Sequence, residues 1–453
     1  MDTSCILQAL SDVSSELNIQ LKDQQVEAIL KFCQGHDVFV SLPTGFGKSM
    51  IYGLLPLLFD KMRGKSTCFM IAMFLNFIIM FLNFIITAQP GSIVVCVSPL
   101  IAIMKEQAAR FSALGISAEF VGEDQTDPRV KSRVLRGNIQ LLFISPENLL
   151  CNWVYRNMLL TDQYKKSLVC VAVDEAHCVK TWGDKFRTAF AQIGEVRCLI
   201  PSSVNVMALT ATSTIETFQV VLQRLSLFNP VTVAVSPNRG NIKLLVQPSK
   251  SLKEFGATIV QELKAKRKRY PKTVIFTRSY LDCTNLFLTM ACSLRKDITF
   301  PAGYPNLLKY RLITMYTRAT TDKMKSKIMA SFTQESSTLR IVIATTSFSM
   351  GIDIPDIRQI IHWGPPTDIE QYVQEIGRAG RDGKESLAIL MFEKANRFTK
   401  QAMRIYAECK TECRRKNLFG NFIQYIHNTD PHCKCCDICD MICDCTICTS
   451  ISF

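Results

Sequence analysis

The chain has 453 residues, of which 48% are hydrophobic, and its formal net charge is +14. This length predicts two or three domains, and the apolar share is enough to build their cores, which excludes an unfolded polar chain. The positive charge favours an acidic partner, of which nucleic acid is the commonest, or else a generally basic solvated surface.

Cysteines are concentrated near the carboxyl end. Nine of the 19 lie between Cys409 and Cys448, and the others are scattered singly, often in apolar strands. This distribution predicts reduced core thiols and a metal-binding tail in an intracellular protein, and excludes an extracellular disulfide framework. Residues 1–12 carry no basic segment of the kind that opens a signal peptide, so we expect none.

A glycine loop follows the first apolar strand, which is predicted at Val38–Val40. The loop reads L-P-T-G-F-G-K-S from Leu42 to Ser49, and a helix is predicted to begin at Lys48. Glycines let the backbone N–H groups face inward, and a helix N-terminus adds positive potential, so the loop predicts a phosphate cradle. Lys48 would reach the β and γ phosphates of ATP, and the Ser49 hydroxyl would bind Mg²⁺. The predicted nucleotide-binding residues of the loop are Thr44, Gly45, Gly47, Lys48 and Ser49.

Gln25 lies upstream of this loop, on a predicted helix that presents Leu21 and Ile29 on one face. A glutamine amide donates and accepts at once, which suits the N6 and N7 edge of adenine. We therefore predict that Gln25 binds the base of the nucleotide, with an ordinary solvated glutamine as the alternative.

A repeated apolar segment interrupts the next part of the chain. The heptapeptide M-F-L-N-F-I-I at residues 73–79 recurs at residues 80–86, and the apolar run 68–86 reaches the length of a membrane span. A span there would place Lys48 and Asp174 on opposite sides of a membrane, although both are predicted at one Mg²⁺. We therefore expect no membrane contact, and interpret residues 66–90 as a tolerated insertion or an error in the predicted gene product.

Apolar strands are predicted at Ile93–Val97 and Leu141–Ile144, each followed by a Ser-Pro pair. Because strands alternate with helical patterns here, the sequence predicts a parallel α/β sheet. Function gathers at the carboxyl ends of such strands. Ser98 is accordingly a candidate contact for a DNA backbone, and a plain strand-ending turn is the alternative.

The apolar run Leu168–Val173 is followed by Asp174-Glu-Ala-His177. Two adjacent carboxylates at the end of an apolar strand are costly unless a cation compensates them. Asp174 suits Mg²⁺ through water, and Glu175 suits the base that orients an attacking water. His177 is predicted to link this site to the next domain.

Residues 177–187, H-C-V-K-T-W-G-D-K-F-R, resemble the aromatic-rich loop that follows the DEAH box in RecQ-family DNA helicases. The P-T-G-x-G-K-S form of the phosphate loop is likewise the one that superfamily 2 helicases carry. Trp182 and Phe186 offer faces for stacking single-stranded bases, and Arg187 offers a fork for phosphate. In that family the loop couples DNA binding to ATP hydrolysis. The alternative is that both aromatic rings fill the core.

A second α/β set follows a linker at residues 227–241, with strands predicted at Thr273–Phe276 and Arg340–Ala344. Ser349–Asp356 resembles the RecQ segment that joins the ATP site to the DNA track, which assigns Asp353 to the nucleotide site. Ser349 itself and residues 316–319 depart from the family pattern. The basic run Lys264–Arg269 is interpreted as a nuclear address, a DNA contact or a solvated helix face.

Residues 374–383, Q-E-I-G-R-A-G-R-D-G, match the family closely. Arg378 and Arg381 are three residues apart, so on a helix they would share a face. Pointed at the γ phosphate, an arginine stabilises the charge of the transition state. The resemblance therefore implies catalytic roles for Gln374, Arg378 and Arg381, with surface ion pairs as the alternative.

The cysteine pattern near the end has two readings. Four thiolates make a closed tetrahedral zinc site, and in the RecQ family the zinc subdomain has the spacing of Cys413, Cys433, Cys436 and Cys439. The run Cys433, Cys436, Cys439 and Cys443 also fits a bacterial iron–sulfur spacing, although Asp444 replaces its proline and Cys413 is left over. We favour zinc, with Cys435, Cys445 and Cys448 as spare thiols.

The resemblance covers roughly Leu21 to Cys439. It implies an α/β protein of two RecA-like parallel-sheet domains in tandem, at residues 1–235 and 241–395, then a small zinc-binding helical module at 396–443 and a tail at 444–453. It also implies an ATP-dependent DNA helicase that uses ATP, Mg²⁺ and Zn²⁺, moves 3′→5′ on single-stranded DNA and unwinds forked DNA during repair and recombination in the nucleus. The alternatives are a DNA-stimulated ATPase or a DNA-binding relative without unwinding activity, and a weaker third is an RNA helicase. We expect a short form that lacks winged-helix and HRDC domains.

Overall fold

The computed structural model describes residues 2–74, 91–123, 125–181, 188–348, 354–392, 399–424, 433 and 435–443. The chain divides into two compact units, Met1–Val235 and Ser236–Phe453. Four predicted site residues lie outside the described residues, as do the tail 444–453 and most of the apolar repeat; these four are Trp182, Phe186, Arg187 and Asp353.

The first unit is built on one sheet of seven parallel strands. These are β1 Val38–Ser41, β2 Ile93–Val97, β3 Ala118–Val121, β4 Leu141–Ile144, β5 Leu168–Val173, β6 Asn205–Thr210 and β7 Val231–Ala234. Their order is β3-β4-β2-β5-β6-β1-β7. Strands β1, β2, β4 and β5 are buried along their whole length, which is why they appear in the sequence as continuous apolar runs.

Short helices connect these strands, as expected for a parallel sheet. The helices of the first unit are α1 Thr3–Glu16, α2 Asp23–Cys33, α3 Lys48–Gly53, α4 Leu55–Phe74, α5 Ile101–Ala113, α6 Pro128–Leu135, α7 Pro146–Leu150, α8 Trp153–Met158, α9 Asp162–Ser167, α10 Cys178–Thr181, α11 Thr188–Ala191 and α12 Ile215–Arg224. The largest core cluster of this unit includes Ile29, Tyr52 and Phe111, so α2, α3 and α5 all contribute to it.

The apolar insertion enters and leaves the fold near Asp60. Helix α4 runs on through the first residues of the insertion to Phe74, and residues 75–90 are not among those described. The chain returns at Gly91, and the backbone N–H of buried Ser92 donates to the Asp60 carboxylate at 2.7 Å. None of the helices in the described ranges is long and apolar enough to cross a membrane.

Deleting residues 66–90 is expected to leave the first unit folded and to raise soluble yield. The contact between Asp60 and Ser92 shows that only Lys61–Lys65 and Gly91 would have to bridge the gap, and connections of about 4–6 residues are usual. The Tm should change by no more than about 2–4 °C, which is about 1 kcal/mol in a unit of this size. Loss of the cooperative transition by circular dichroism, while the full chain remains soluble, would make the segment an integral part of the unit.

The second unit has a sheet of six parallel strands: β8 Ile242–Pro248, β9 Thr273–Thr277, β10 Ile313–Tyr316, β11 Ile341–Ala344, β12 Gln359–Trp363 and β13 Ser386–Phe392. Their order is β10-β11-β9-β12-β13-β8. The helices are α13 Leu252–Lys266, α14 Tyr280–Leu294, α15 Asp322–Thr333, α16 Ile369–Ile376, α17 Gln401–Glu408, α18 Arg414–Phe419 and α19 Asp437–Met441. The two units thus confirm the tandem parallel-sheet architecture that the sequence predicts.

The cysteine-rich end of the chain packs on the core of the second unit. Leu418, Phe419 and Ile438 are buried in the same cluster as Tyr372 and Ile360 of the α/β fold. On the edge strand β8, the N–H of Leu244 donates to the carbonyl of Cys435 at 3.1 Å. This segment therefore shares one hydrophobic core with the sheet rather than forming a core of its own.

Candidate active site

The glycine loop is tied to the end of β6. The backbone N–H of Leu42, one residue beyond β1, donates to the carbonyl of Thr210 at 3.1 Å. Gly45 and Gly47 both have a φ of +84°, a conformation that costs a residue with a Cβ about 1 kcal/mol or more. Helix α3 then begins at Lys48 as predicted. The sequence pattern therefore produces a strand, a tight loop and a helix start.

Gln25 is buried and bonds to the loop. Its Nε2 donates to the carbonyls of Phe46 at 3.1 Å and Gly47 at 2.8 Å, and its Oε1 accepts from the N–H of Lys22 at 2.8 Å. Both amide donors are thus in use, and the predicted contact with adenine would require them to leave the loop. In this structure Gln25 positions the phosphate loop, which is a role that the sequence prediction did not include.

Asp174 and Glu175 follow β5, which is separated from β1 only by β6. Burial, and then the neighbouring carboxylate of Glu175, raise the pKa of Asp174 to about 7, while the ammonium of Lys48 acts in the opposite direction. The Nζ of Lys48 donates to the carbonyl of Leu42 at 2.9 Å, at the mouth of the loop. Two crowded carboxylates beside one ammonium are a donor set that suits a divalent cation such as Mg²⁺.

The segment that carries the carboxylates is also held by β6. The N–H of Ala176 donates to the carbonyl of Leu209 at 2.8 Å, and Glu175 has a φ of +51°, which is a strained conformation for a glutamate. The Nδ1 of His177 lies 3.1 Å from the hydroxyl of Thr210. Because that hydroxyl donates to the carbonyl of Thr212 at 2.9 Å, Nδ1–H is the donor to Thr210. His177 thus connects the carboxylates to the end of β6 within the first unit.

The two Ser-Pro turns do not present open hydroxyls. Ser98 is 1% exposed at the end of β2. Ser145 caps α7, and its hydroxyl accepts from the N–H of Asn148 at 3.3 Å, which is the plain strand-ending turn considered as the alternative. A contact between Ser98 and DNA stays a prediction, and it would require local opening.

In the second unit, Arg378 and Arg381 do not share a helix face. Helix α16 ends at Ile376, and both arginines lie in the turns that follow, so this part of the prediction was wrong. The reason is tertiary: Gly380 has a φ of +54°, and its N–H donates to the carbonyl of Ile357 at 2.8 Å, which draws the chain away from the helix axis. Gln374 is half-buried within α16, before these turns.

Arg239 fixes the arginine-bearing turn from the linker side. Its guanidinium donates to the carbonyls of Gly377 at 2.9 Å, Ala379 at 3.0 Å and Gly380 at 3.2 Å. The side chain of Asn241 adds a donor to Gly380 at 2.8 Å. Sequence analysis missed both residues, because their only signal was a position in a segment interpreted as a linker.

A pocket of about 360 Å³ opens at the carboxyl ends of β9 and β12. Buried Glu375 accepts from Nε2 of His362 at 2.7 Å and from Nε2 of Gln371 at 3.1 Å in its wall. Arg278 lines the same pocket and donates to the carbonyl of Pro365 at 2.8 Å. The functional edge of this sheet is therefore also polar and concave, although the sequence analysis singled out none of these three side chains.

Four cysteine sulfurs converge near the carboxyl end, all within 4.8 Å of one another: Cys413, Cys435, Cys436 and Cys439. Zn–S bonds of about 2.3 Å in a tetrahedron would place sulfurs about 3.8 Å apart. The Sγ atoms of Cys413 and Cys435 are 3.6 Å apart, so the group fits zinc.

The fourth sulfur of this group belongs to Cys435, which was predicted to be a spare thiol, and not to Cys433. The contact of Leu244 with Cys435 holds this residue against β8 and buries it, whereas Cys433 is only half-buried. Cys443, which the iron–sulfur spacing requires, is not a member of the group either. Cys413 and Cys436 begin α18 and α19, so two helix N-termini face the sulfurs.

Family models match most of the two units. Residues 22–221 match the DEAD/DEAH box helicase model, and residues 256–383 match the helicase conserved C-terminal domain. The first match contains Gln25, Lys48 and Asp174, and the second contains Arg378 and Arg381.

Curated relatives resemble the chain over most of its length. The ATP-dependent DNA helicase RecQ of Haemophilus influenzae is 28% identical over 95% of this chain and 63% of its own length. The ATP-dependent helicase wrn-1 of Caenorhabditis elegans is 30% identical over 81% of this chain and 30% of its own length. The chain thus spans less than two thirds of either relative.

Solved structures share the fold at low identity. The DUF1998 helicase MrfA bound to DNA has a TM-score of 0.61 at 17% identity, covering 84% of this chain and 51% of that chain. Dbp5 of Saccharomyces cerevisiae, bound to RNA and ADP BeF3, has a TM-score of 0.57 at 15% identity, covering 89% of this chain and 91% of that chain.

Proposed function

From the premise that this chain belongs to the RecQ-type DEAD/DEAH box helicases, we propose that it is an ATP-dependent DNA helicase or translocase. It couples ATP hydrolysis to 3′→5′ movement on single-stranded DNA and to the unwinding of forked DNA, and it serves repair and recombination. The relatives that are named as helicases support this proposal. A nuclear site of action is part of the same proposal, and imaging of a tagged full chain would test it.

The observation that carries the proposal is the junction at the end of β6. The phosphate loop bonds to Thr210, and the carboxylate segment bonds to Leu209 and Thr210. Lys48 on one side and Asp174 and Glu175 on the other are thereby fixed around one strand end. A phosphate-binding lysine beside a buried carboxylate pair is the arrangement that nucleotide hydrolysis requires.

Each residue of this junction has a chemical task in the proposal. Lys48 binds the β and γ phosphates, Ser49 and Asp174 hold Mg²⁺, and Glu175 accepts the proton of the attacking water. Bound Mg²⁺ would supply neutralisation of phosphate charge. The strained φ of Glu175 keeps its carboxylate beside that of Asp174 rather than letting the two separate.

The DNA contacts are proposed from the family resemblance of residues 177–187. Trp182 and Phe186 would stack on bases, and Arg187 would bind a phosphate. The DNA-bound state of MrfA, a structural neighbour, supports a nucleic-acid partner for this fold. Dbp5 in its RNA-bound state supports the same partner class, so the choice between DNA and RNA must be measured.

The test is ATP hydrolysis by the purified full chain with Mg²⁺, measured alone, with a single-stranded DNA oligonucleotide and with RNA of the same sequence. We expect stimulation by DNA and much less by RNA. Glu175→Gln is the matched control because it keeps the shape of the side chain and removes the base. Parental hydrolysis no faster than that of Glu175→Gln would contradict the proposal.

Labelled forks separate unwinding from translocation. A fork with a 3′ single-stranded tail should be opened, and one with a 5′ tail should not. If DNA stimulates hydrolysis while neither fork opens, the chain is a DNA-stimulated ATPase, which is the alternative function.

We also propose that the cysteine cluster binds one zinc ion per chain and no iron. Cys436→Ser should remove the metal and lower the Tm of the second unit by about 5–10 °C, since about 2–4 °C corresponds to 1 kcal/mol at this size. Cys292→Ser, an exposed cysteine outside the cluster, is the control and should keep both. Elemental analysis and differential scanning calorimetry give the two readouts.

Serine variants of Cys433 and Cys435 separate the sequence-based ligand set from the set in the structure. Zinc retained in Cys433→Ser and lost in Cys435→Ser supports the structural set, and the reverse supports the family spacing. Iron with visible absorbance in the parent would overturn the zinc proposal.

A further inference from the structure

Basic side chains line the amino-terminal edge of the second sheet. Arg340, Lys272 and Arg358 each stand immediately before a strand, namely β11, β9 and β12, and Lys384 stands two residues before β13. These four strands are consecutive neighbours in the sheet. The ladder holds the row in place, since Thr273 N–H donates to the Arg340 carbonyl at 2.8 Å and Arg358 N–H donates to the Lys272 carbonyl at 2.9 Å.

A cavity of about 450 Å³ opens along this row. It is lined by five basic and three acidic side chains: Arg269, Lys272, Arg340, Arg358 and Lys384 with Glu335, Asp356 and Asp382. Lys272 pairs with Asp356 at 2.8 Å, and Arg358 pairs with Asp382. Among the described residues, no carboxylate pairs with Arg269, Arg340 or Lys384, so the cavity carries an excess of positive charge.

Arg340 is the buried anchor of this cavity. It is 8% exposed, and one of its terminal nitrogens donates to the carbonyl of Ser337. Its Nε is buried, and the described part of the chain offers it no acceptor. Burial also lowers the pKa of this guanidinium, which shows that its charge is poorly compensated. A buried guanidinium N–H without a partner is costly, and a planar oxyanion is the ligand that satisfies it.

The basic run at Lys264–Arg269 contributes to the same place. Three of its cations are occupied elsewhere: Lys264 donates to the carbonyl of Ser293 at 2.9 Å, Lys266 pairs with Glu262 at 3.3 Å, and Arg267 pairs with Asp297 at 2.5 Å. Exposed Arg269 instead lines the cavity, whereas its exposed neighbour Lys268 does not.

We propose that this cavity binds a phosphate-class oxyanion. A phosphate monoester carries about −1.5 to −2 charges near pH 7 and three acceptor oxygens, which suits the excess of two cations and the convergence of Arg340, Arg269 and Lys384. The volume accommodates a small ligand or the end of a strand. The site lies at the amino ends of the strands, whereas the pocket beside Glu375 lies at their carboxyl ends. The source is either free phosphate or the terminal phosphate of a nucleic-acid strand.

Calorimetric titration of the full chain with inorganic phosphate at constant ionic strength tests the proposal. The protein carries Lys48→Ala, so that phosphate binding at the glycine loop is suppressed. Adding Arg340→Gln should weaken phosphate binding about tenfold, which is about 1.4 kcal/mol. Arg269→Gln or Lys384→Gln, both exposed and therefore safe for folding, should weaken it about three- to tenfold. Lys268→Gln removes the same charge one residue away and should change affinity less than about twofold.

Competition with tetranucleotides distinguishes the two sources. If only the 5′-phosphorylated form displaces phosphate, the ligand is a strand end, and if neither form does, it is free phosphate. Both results support the site. Displacement by the 5′-hydroxyl form as well, an equal effect of Lys268→Gln and Arg269→Gln, or no binding by the Lys48→Ala protein would overturn it. Should Arg340→Gln fail to fold, the variants of Arg269 and Lys384 still decide.

Discussion

Replacing Lys48 with alanine is expected to lower the turnover number for ATP by at least about 10²–10³-fold, the loss seen when a preorganised donor to transition-state charge is removed. Its Nζ already lies at the loop mouth, 2.9 Å from the carbonyl of Leu42, so nucleotide phosphates need only replace that carbonyl. Single-stranded DNA affinity should stay within about twofold, a change of roughly 0.4 kcal/mol, because the proposed DNA contacts are other residues.

Steady-state hydrolysis and fluorescence anisotropy with labelled DNA measure the two effects of Lys48→Ala. Lys131→Ala removes the same charge from an exposed position on α6 and should match the parent in both assays. A variant at position 48 that hydrolyses ATP at the parental rate would show that the glycine loop does not hold the reacting phosphates.

Replacing Arg381 with alanine is expected to lower turnover by about 10³-fold or more, as with other arginines that meet a transferring phosphoryl group. Nucleotide affinity should change less, because the charge that the arginine meets develops mainly in the transition state. The turn that carries Arg381 is fixed by Arg239 and Asn241, so truncating the side chain should leave the backbone in place.

Single-turnover hydrolysis and nucleotide binding, measured separately, resolve the role of Arg381. Arg129→Ala, at a side chain that is 90% exposed in the first unit, controls for the loss of one positive charge. Arg378→Ala, at a 3% exposed position, should also lose turnover, but with a lower Tm because it is part of the core. Normal turnover with weakened ATP binding would reassign Arg381 to ground-state binding.

Local sequence patterns determined much of the first unit. Val38–Ser41 is a buried strand because four apolar or small residues precede a turn, and two glycines followed by Lys48 leave a tight loop and a helix start as the local outcome. Asp174 follows Val173 at the end of β5 for the same reason. These features depend on residues within one strand and one turn, so neighbouring letters are sufficient to predict them.

Long-range contacts decided the partners of the side chains. Gln25 bonds to a loop more than 20 positions away, and Arg239 reaches a turn more than 130 positions away, so no local pattern could predict either contact. The turn after Ile376 forms because Gly380 bonds to Ile357 on the approach to β12, although the local sequence is compatible with further helix.

By itself, the sequence determined the chemistry that is available: a phosphate loop, a carboxylate pair, an arginine pair and a cysteine cluster, each within a short segment. The tertiary structure decided how those groups are used. Sheet order brings Arg340, Lys272 and Arg358 into one row although they are far apart in the chain. Packing of Cys435 on β8 gives it the place that spacing alone assigned to Cys433. Strand pairing and burial act between distant segments, and spacing along one segment does not encode them.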